Sequence, residues 1–159
     1  MVAGVLGAGQ SERAAAMGWA DYYATAYRVP PDLVHAIIEV ESAWQVHATS
    51  TKGAAGLMQL MPATAVTFGV TNRFDVQQNI RGGVAYLARL MKLLNGDLRL
   101  ATAAYVAGEN RILSAGLQYS HADVFEYVSK VARLYQQKRL KPLRTEPLTE
   151  IANKGGNSP

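Results

Sequence analysis

The chain has no cysteine, few charges and no long apolar run, and each lack removes a class of protein. Without cysteine there is no disulfide framework, no thiol nucleophile and no Cys-ligated zinc or iron–sulfur site in its 159 residues. Charged residues make up 18% against 49% hydrophobic ones, with 14 glycines and 6 prolines, which excludes a disordered, low-complexity or collagen-like chain. No stretch approaches roughly 18 consecutive apolar residues, so nothing reads as a membrane span. His35, His47 and His121 show no ligand-like spacing and no nucleotide loop is present, so we expect neither metal nor cofactor. What is left is a length suited to a single domain with one core. Sixteen basic and 12 acidic residues give a net charge of +4, compatible with an anionic partner but too diffuse to name one.

The pattern that is present is all-α. Residues 1–28 read as an N-terminal extension followed by a first helix over Ser11–Arg28. The extension, Met1 to Gln10, is apolar, lacks a basic n-region and is short for a signal peptide. Pro30-Pro31-Asp32 opens a second helix running to Glu41 or Ser42. Residues 47–61 lack a clean period and form a loop that carries side chains. Pro62–Phe68 predicts a short helix ended by Gly69. A long amphipathic helix follows from Asp75 or Val76 to Leu94, with Ile80, Val84, Leu87, Met91 and Leu94 on one face and Gly96 beyond its end. Asp97 caps a helix over Leu98–Ala107, and Ser120 with Asp123 suggests a capping box for a last helix. Its apolar stripe is Val124, Val128, Val131, Leu134 and Tyr135. The segment 141–159 has no period and contains Pro142, Pro147 and Gly155-Gly156, so it reads as a loose tail.

One carboxylate stands on the wrong face. With Leu33 at zero and about 100° per residue, Leu33, Val34, Ile37, Ile38 and Val40 fill an arc from roughly −20° to +140°. Glu41 falls at about +80°, inside that arc, whereas His35 and Glu39 fall near 200° and 240°, on the expected solvated side. A carboxylate aimed into an apolar face must be paired, neutral or functional, unless the helix ends at residue 40 and it turns to water. Burial and the helix C-terminus both push its pKa upward, which keeps a general acid protonated near neutral pH.

Four blocks then occur in order: Glu41-Ser42; Gly53-Ala-Ala-Gly-Leu-Met-Gln-Leu-Met-Pro-Ala-Thr64; Asn79-Ile-Arg-Gly-Gly-Val-Ala-Tyr-Leu87; and Ala103-Ala-Tyr-Val-Ala-Gly108, closed by Tyr127-Val128. In these blocks the chain resembles the catalytic domain of soluble lytic transglycosylases, lysozyme-like enzymes that cut peptidoglycan. The resemblance spans about residues 29–136 and implies a lysozyme-like helical domain over 29–140. It implies Glu41 as the single catalytic acid/base, which protonates the oxygen between N-acetylmuramic acid and N-acetylglucosamine and then accepts the 6-hydroxyl proton as a 1,6-anhydro ring closes. Because the substrate supplies the nucleophile, no second carboxylate is required.

The same resemblance assigns Ser50, Gln59 and Met61 to the substrate, although a loop serine capping its own backbone explains Ser50 as well. Leu57, Met58 and Leu60 read as core, and Gly53 and Gly56 as positions that let the loop approach the saccharide. Tyr105 is expected to point its hydroxyl at the Glu41 carboxylate, with Tyr127 hydrogen-bonded near the site and Tyr86 as core. Asp75 and Asp97 are explained as caps. Asp123 shares that explanation and also matches a family glutamate near the floor of the site. Val106 departs from the family, which has asparagine there. That departure leaves open a peptidoglycan-binding domain with reduced catalysis, beside a goose-type lysozyme-like hydrolase of the same fold. We expect a monomer whose partner is peptidoglycan glycan strands, periplasmic or secreted although no signal peptide is visible. Nucleic acid is not expected, because Lys138, Arg139 and Lys141 form only a short solvated run.

Overall fold

Prolines mark where the chain turns from its first helix into its second. In the computed structural model, which describes residues 3–140, helix α1 spans Ala3–Tyr27. Arg28 turns left-handed (φ 59°), and the Val29 N–H closes back on the Ala24 carbonyl at 2.8 Å. Pro31, which has no N–H to leave unpaired, then begins α2 (Pro31–Ser42). The chain continues through α3 (Pro62–Thr67), α4 (Val76–Leu93), α5 (Leu98–Ala107), α6 (Glu109–Ala115), a 3-10 turn at Gly116–Gln118 and α7 (Ala122–Arg139). The fold is all-α; among the described residues the only β pairing is two isolated bridges, Thr49 with Ala55 and Ala55 with Leu60. No helix among them is long and apolar enough to cross a membrane.

Helix α2 lies in the middle, packed against α1 on one side and α7 on the other, while α4 packs on α1 and α5. Leu33, Val34, Ile37 and Ile38 of α2 meet Ile80, Val84, Leu87 and Leu90 of α4 and Ala101 and Ala104 of α5 in one core. Each buried Leu or Ile there contributes about 1.5–3 kcal/mol relative to exposure. Ala16, Ala20, Tyr23 and Ala24 of α1 belong to the same core, so the expected division near residue 28 is not a break in packing.

Four local expectations change. Helix α1 begins at Ala3, within the stretch expected as an extension. The segment 109–118, to which no element was assigned, holds α6 and the 3-10 turn; with Ile112 as its one buried residue, α6 is too short to show a period. Helix α7 starts at Ala122 without a side-chain cap from Ser120, and the Asp123 side chain is 89% exposed. The fourth is His35, which is buried because α1 lies over its side of α2. By contrast Asp75 and Asp97 cap α4 and α5, accepting the backbone N–H groups of Gln78 and of Arg99 and Leu100. The expected tail 141–159 lies outside the described residues.

Two glycines place the loop between α2 and α3 against α4. A Cβ on Gly83 would collide with the Met58 side chain, and one on Gly56 (φ 81°) with Asn79 and the Arg73 carbonyl. Gly56 therefore serves close packing of loop on helix. Leu57, Met58 and Leu60 are buried, as expected.

Candidate active site

Helix α2 delivers Glu41 at its last turn and then stops abruptly. Ala43 and Trp44 both adopt left-handed backbone (φ 49° and 66°), a conformation that costs a non-glycine residue about 1–2 kcal/mol. Surrounding contacts hold it in place. The Ser42 hydroxyl lies 2.8 Å from the Leu57 carbonyl and 3.1 Å from that of Ile38, and the Trp44 ring folds back edge-on to His35 at 5.2 Å. The Glu-Ser pair thus combines a reactive carboxyl with the hydroxyl that ties its helix end to the loop.

Glu41 is half-buried, and its Oε1 accepts a 2.6 Å hydrogen bond from the Tyr127 hydroxyl of α7. Burial lifts its pKa from 4.5 to about 7, with the Tyr127 bond opposing the rise. No charged side chain among the described residues takes part in that balance. Near neutral pH the carboxyl therefore exists in both forms, which suits one group to give a proton and later take one back.

The tyrosine expected to orient Glu41 is not the one that does so. Tyr105 donates its hydroxyl to the Met58 carbonyl at 2.8 Å, and Tyr127 makes the bond to Glu41. The physical reason is the course of the loop, which brings the Met58 carbonyl to the Tyr105 hydroxyl from 47 residues away. Burial raises both tyrosine pKa values well above 10, and the Glu41 charge raises both further. Tyr86 packs its ring 5.2 Å from that of Tyr105 and 5.5 Å from that of Phe68. It borders two shallow hollows of about 260 and 440 Å³ that share Glu109 as well. Larger hollows of about 550 and 580 Å³ lie along α5 and α7, and Glu41 lines none of the four.

The loop residues are placed as follows. Ser50 is exposed, and its Oγ accepts the Ala54 N–H at 3.0 Å, the backbone-capping role; its hydroxyl proton stays free to donate. Gln59, left-handed at φ 49°, spends both amide protons on the carbonyls of Ala48 and Gly56 (3.0 and 2.9 Å), leaving its side-chain oxygen as an acceptor. Met61 is 42% exposed and leads into α3, and Val106 is 43% exposed on α5. The exposed Asp123 does not cap its helix through its side chain and lies 4.0 Å from the His121 ring nitrogen.

Two residues that carried no role in the sequence reading hold the loop. Asn79 is 1% exposed; its Oδ1 accepts the Met58 N–H at 2.8 Å, and its Nδ2 donates to the carbonyls of Ala55 and Arg73 at 3.0 and 2.7 Å. The Arg73 guanidinium donates to the Gly53 and Leu60 carbonyls at 2.7 and 2.9 Å. The same wheel test that singled out Glu41 finds Asn79, a polar side chain between Val76 and Gly83 on the buried stripe of α4. Among the described residues no cluster of three or more metal-ligating side chains occurs.

Comparison with known proteins bears on this geometry. The family profile of the transglycosylase SLT domain matches residues 19–128. A transglycosylase of Enterobacteria phage PRD1 is 46% identical over 85 residues, 54% of this chain and 32% of that protein. The membrane-bound lytic murein transglycosylase F of Yersinia pestis is 37% identical over 123 residues, covering 71% of this chain and 25% of its own. Among solved structures, an inactive mutant of the lytic transglycosylase Slt from Pseudomonas aeruginosa superposes with a TM-score of 0.67 at 29% identity, over 79% of this chain and 24% of that one. The 70 kDa soluble lytic transglycosylase of Escherichia coli gives 0.68 at 25% identity, over 77% and 24%. The chain thus spans about a quarter to a third of the length of the proteins it matches.

Proposed function

We propose that this chain, which belongs to the transglycosylase SLT domain family, is a lytic transglycosylase that cleaves peptidoglycan glycan strands with Glu41 as its one acid/base. The observation that carries the reading is a half-buried carboxyl at the end of α2 with a pKa raised to about 7 and, among the described residues, only the Tyr127 hydroxyl for a partner. Protonated, Glu41 donates to the oxygen between N-acetylmuramic acid and N-acetylglucosamine as the bond to C1 breaks. Ionised, it removes the proton of the muramic acid 6-hydroxyl, whose oxygen closes on C1. The proton balance returns to its start and no water enters. A single carboxyl is enough because the nucleophile belongs to the substrate; a two-carboxylate glycosidase needs a second acid within about 10 Å.

Tyr127 stabilises the ionised form between the two steps, and its short bond fixes which carboxyl oxygen is free to meet the glycan. The Gln59 oxygen and the Ser50 hydroxyl proton supply one acceptor and one donor for sugar hydroxyls, and Met61 an apolar surface for a pyranose face. The net charge of +4 suits a polymer that carries carboxylate-bearing stem peptides. Such a polymer places the enzyme at the cell wall, periplasmic or outside the cell.

Purified peptidoglycan digested by the chain is expected to yield fragments with 1,6-anhydromuramic ends, one water lighter than reducing ends by mass spectrometry. Reducing ends would instead identify a goose-type hydrolase. Glu41→Gln is expected to lower the rate by about 10²–10⁴-fold, the share of a general acid/base. Binding to peptidoglycan with no cleavage by the unaltered chain would leave only a wall-binding domain.

A further inference from the structure

Two hollows meet at Tyr86 and Glu109, and the proposed acid/base step uses neither residue. The smaller, of about 260 Å³, is bordered by Thr64, Thr67 and Phe68 and by Arg89 of α4. The other, of about 440 Å³, is bordered by Gly108, Asn110 and Arg111, where α5 gives way to α6. Gly108, at φ 93°, joins these two helices with no linker, so Glu109 follows directly on the last turn of the helix that carries Tyr105. Two paths connect the hollows to the end of α2. The Ser42 hydroxyl meets the Leu57 carbonyl, the next carbonyl, that of Met58, takes the Tyr105 hydroxyl, and the Tyr105 ring lies 5.2 Å from that of Tyr86. Along the chain, Met61 leads straight into α3, whose Thr64 borders the smaller hollow.

The polar groups there suit a different part of the polymer from sugar hydroxyls. Arg89 Nη2 and Glu109 Oε1 form a 2.9 Å ion pair with side chains 49% and 27% exposed. A pair that open adds only about 0–1 kcal/mol to stability, so its contribution to folding is small. It engages one nitrogen and one oxygen, which leaves further guanidinium N–H groups for a carboxylate and the second Glu109 oxygen for an amide N–H. Arg111, exposed at the larger hollow, makes the balance two cations to one anion. Sugar hydroxyls are neutral, whereas a peptide offers both carboxylates and amide N–H groups. We propose that the hollows on either side of Tyr86 bind the stem peptide of the glycan strand, with Arg89 and Arg111 taking its carboxylates and Glu109 an N–H; this rests on peptidoglycan being the substrate. Tyr86 gives the peptide an aromatic wall. Burial, and after it the Glu109 charge, raises the Tyr86 pKa, so its hydroxyl stays a donor at neutral pH.

The experiment measures by calorimetry the affinity of the Glu41→Gln protein for soluble glycan strands that carry stem peptides and for the same strands stripped of them by an amidase. Strands with stems are expected to bind about tenfold more tightly, the share of one charge-assisted hydrogen bond. Arg89→Ala is expected to remove that advantage while affinity for bare strands holds, and Arg89→Lys, which keeps the charge, to retain part of it. Equal affinity for both strands, or none for either, overturns the proposal. So does a loss in Arg89→Ala that falls equally on both, which is what a purely structural ion pair predicts. Should Arg89→Ala not fold, Arg111→Ala at the exposed rim decides. It is expected to weaken binding of stem-bearing strands alone by about threefold, the share of an exposed ion pair, and an unchanged ratio of the two affinities overturns the proposal. Cleavage by Glu41→Gln would sink the acid/base reading instead, and the same ratio is then read from kcat/KM on the two kinds of strand.

Discussion

Helix α2 carries an ionisable side chain into the protein on each of two sides, and the surroundings treat them in opposite ways. On the α1 side, His35 is 8% exposed and its Nε2 lies 2.8 Å from an Asp21 oxygen, with the Trp44 ring against it and Arg13 over that ring at 5.4 Å. On the α7 side, Glu41 has, among the described residues, one neutral hydroxyl and no ion partner. A buried polar group with a charged partner is structure, because the partner offsets its lost hydration. A buried acid without one holds its proton to higher pH and is ready to give it up. The difference between the two sides of one helix is the difference between a strut and a reagent.

The largest effect that sharpens this contrast concerns stability. Glu41 titrates at 4.5 when unfolded and at about 7 when folded, a gap worth about 3 kcal/mol at about 1.4 kcal/mol per pH unit. The folded state holds the proton more tightly, so this stability is fully present below 4.5 and lost as pH rises through about 7. Glu41→Gln, which keeps the shape and cannot ionise, is therefore expected to unfold at higher urea than the unaltered chain at pH 8 by up to about 3 kcal/mol, and to match it at pH 4. Equal midpoints at both pH values would mean that Glu41 is solvated. For His35 the expectation reverses. His35→Ala loses the Asp21 bond and the Trp44 contact and should destabilise by about 1–3 kcal/mol in the same titration, with kcat per folded molecule unaltered. A gain in stability there would make the two sides alike. The smallest effect is the finest: Tyr127→Phe removes the bond that lowers the Glu41 pKa and should raise the alkaline limb of the rate profile by about one pH unit.

How far the sequence revealed this site depended on distance along the chain. Glu41 was legible because α2 is regular enough for a wheel, and its carboxyl stood among Leu33, Ile37 and Ile38 of the same helix. His35 was not legible from that wheel, since its burial comes from α1, which the wheel does not contain. Asp75 and Asp97 were legible as caps because a cap and its helix are adjacent. The roles of Tyr105 and Tyr127 were exchanged for the opposite reason. Which hydroxyl reaches Glu41 depends on where a loop 47 residues from Tyr105 lays the Met58 carbonyl, and on how α7 crosses α2 86 residues from Glu41. Asn79 carried the same signal as Glu41, a polar group on a buried stripe, and its three bonds all reach into loop segments whose course no helical period encodes.

The proposed chemistry requires Glu41 to be a half-buried acid that keeps its proton to neutral pH. Titration of its carboxyl carbon by NMR in the unaltered protein measures that directly. A midpoint near 7 is the predicted result; a midpoint near 4.5, the ordinary value for glutamate, would contradict it.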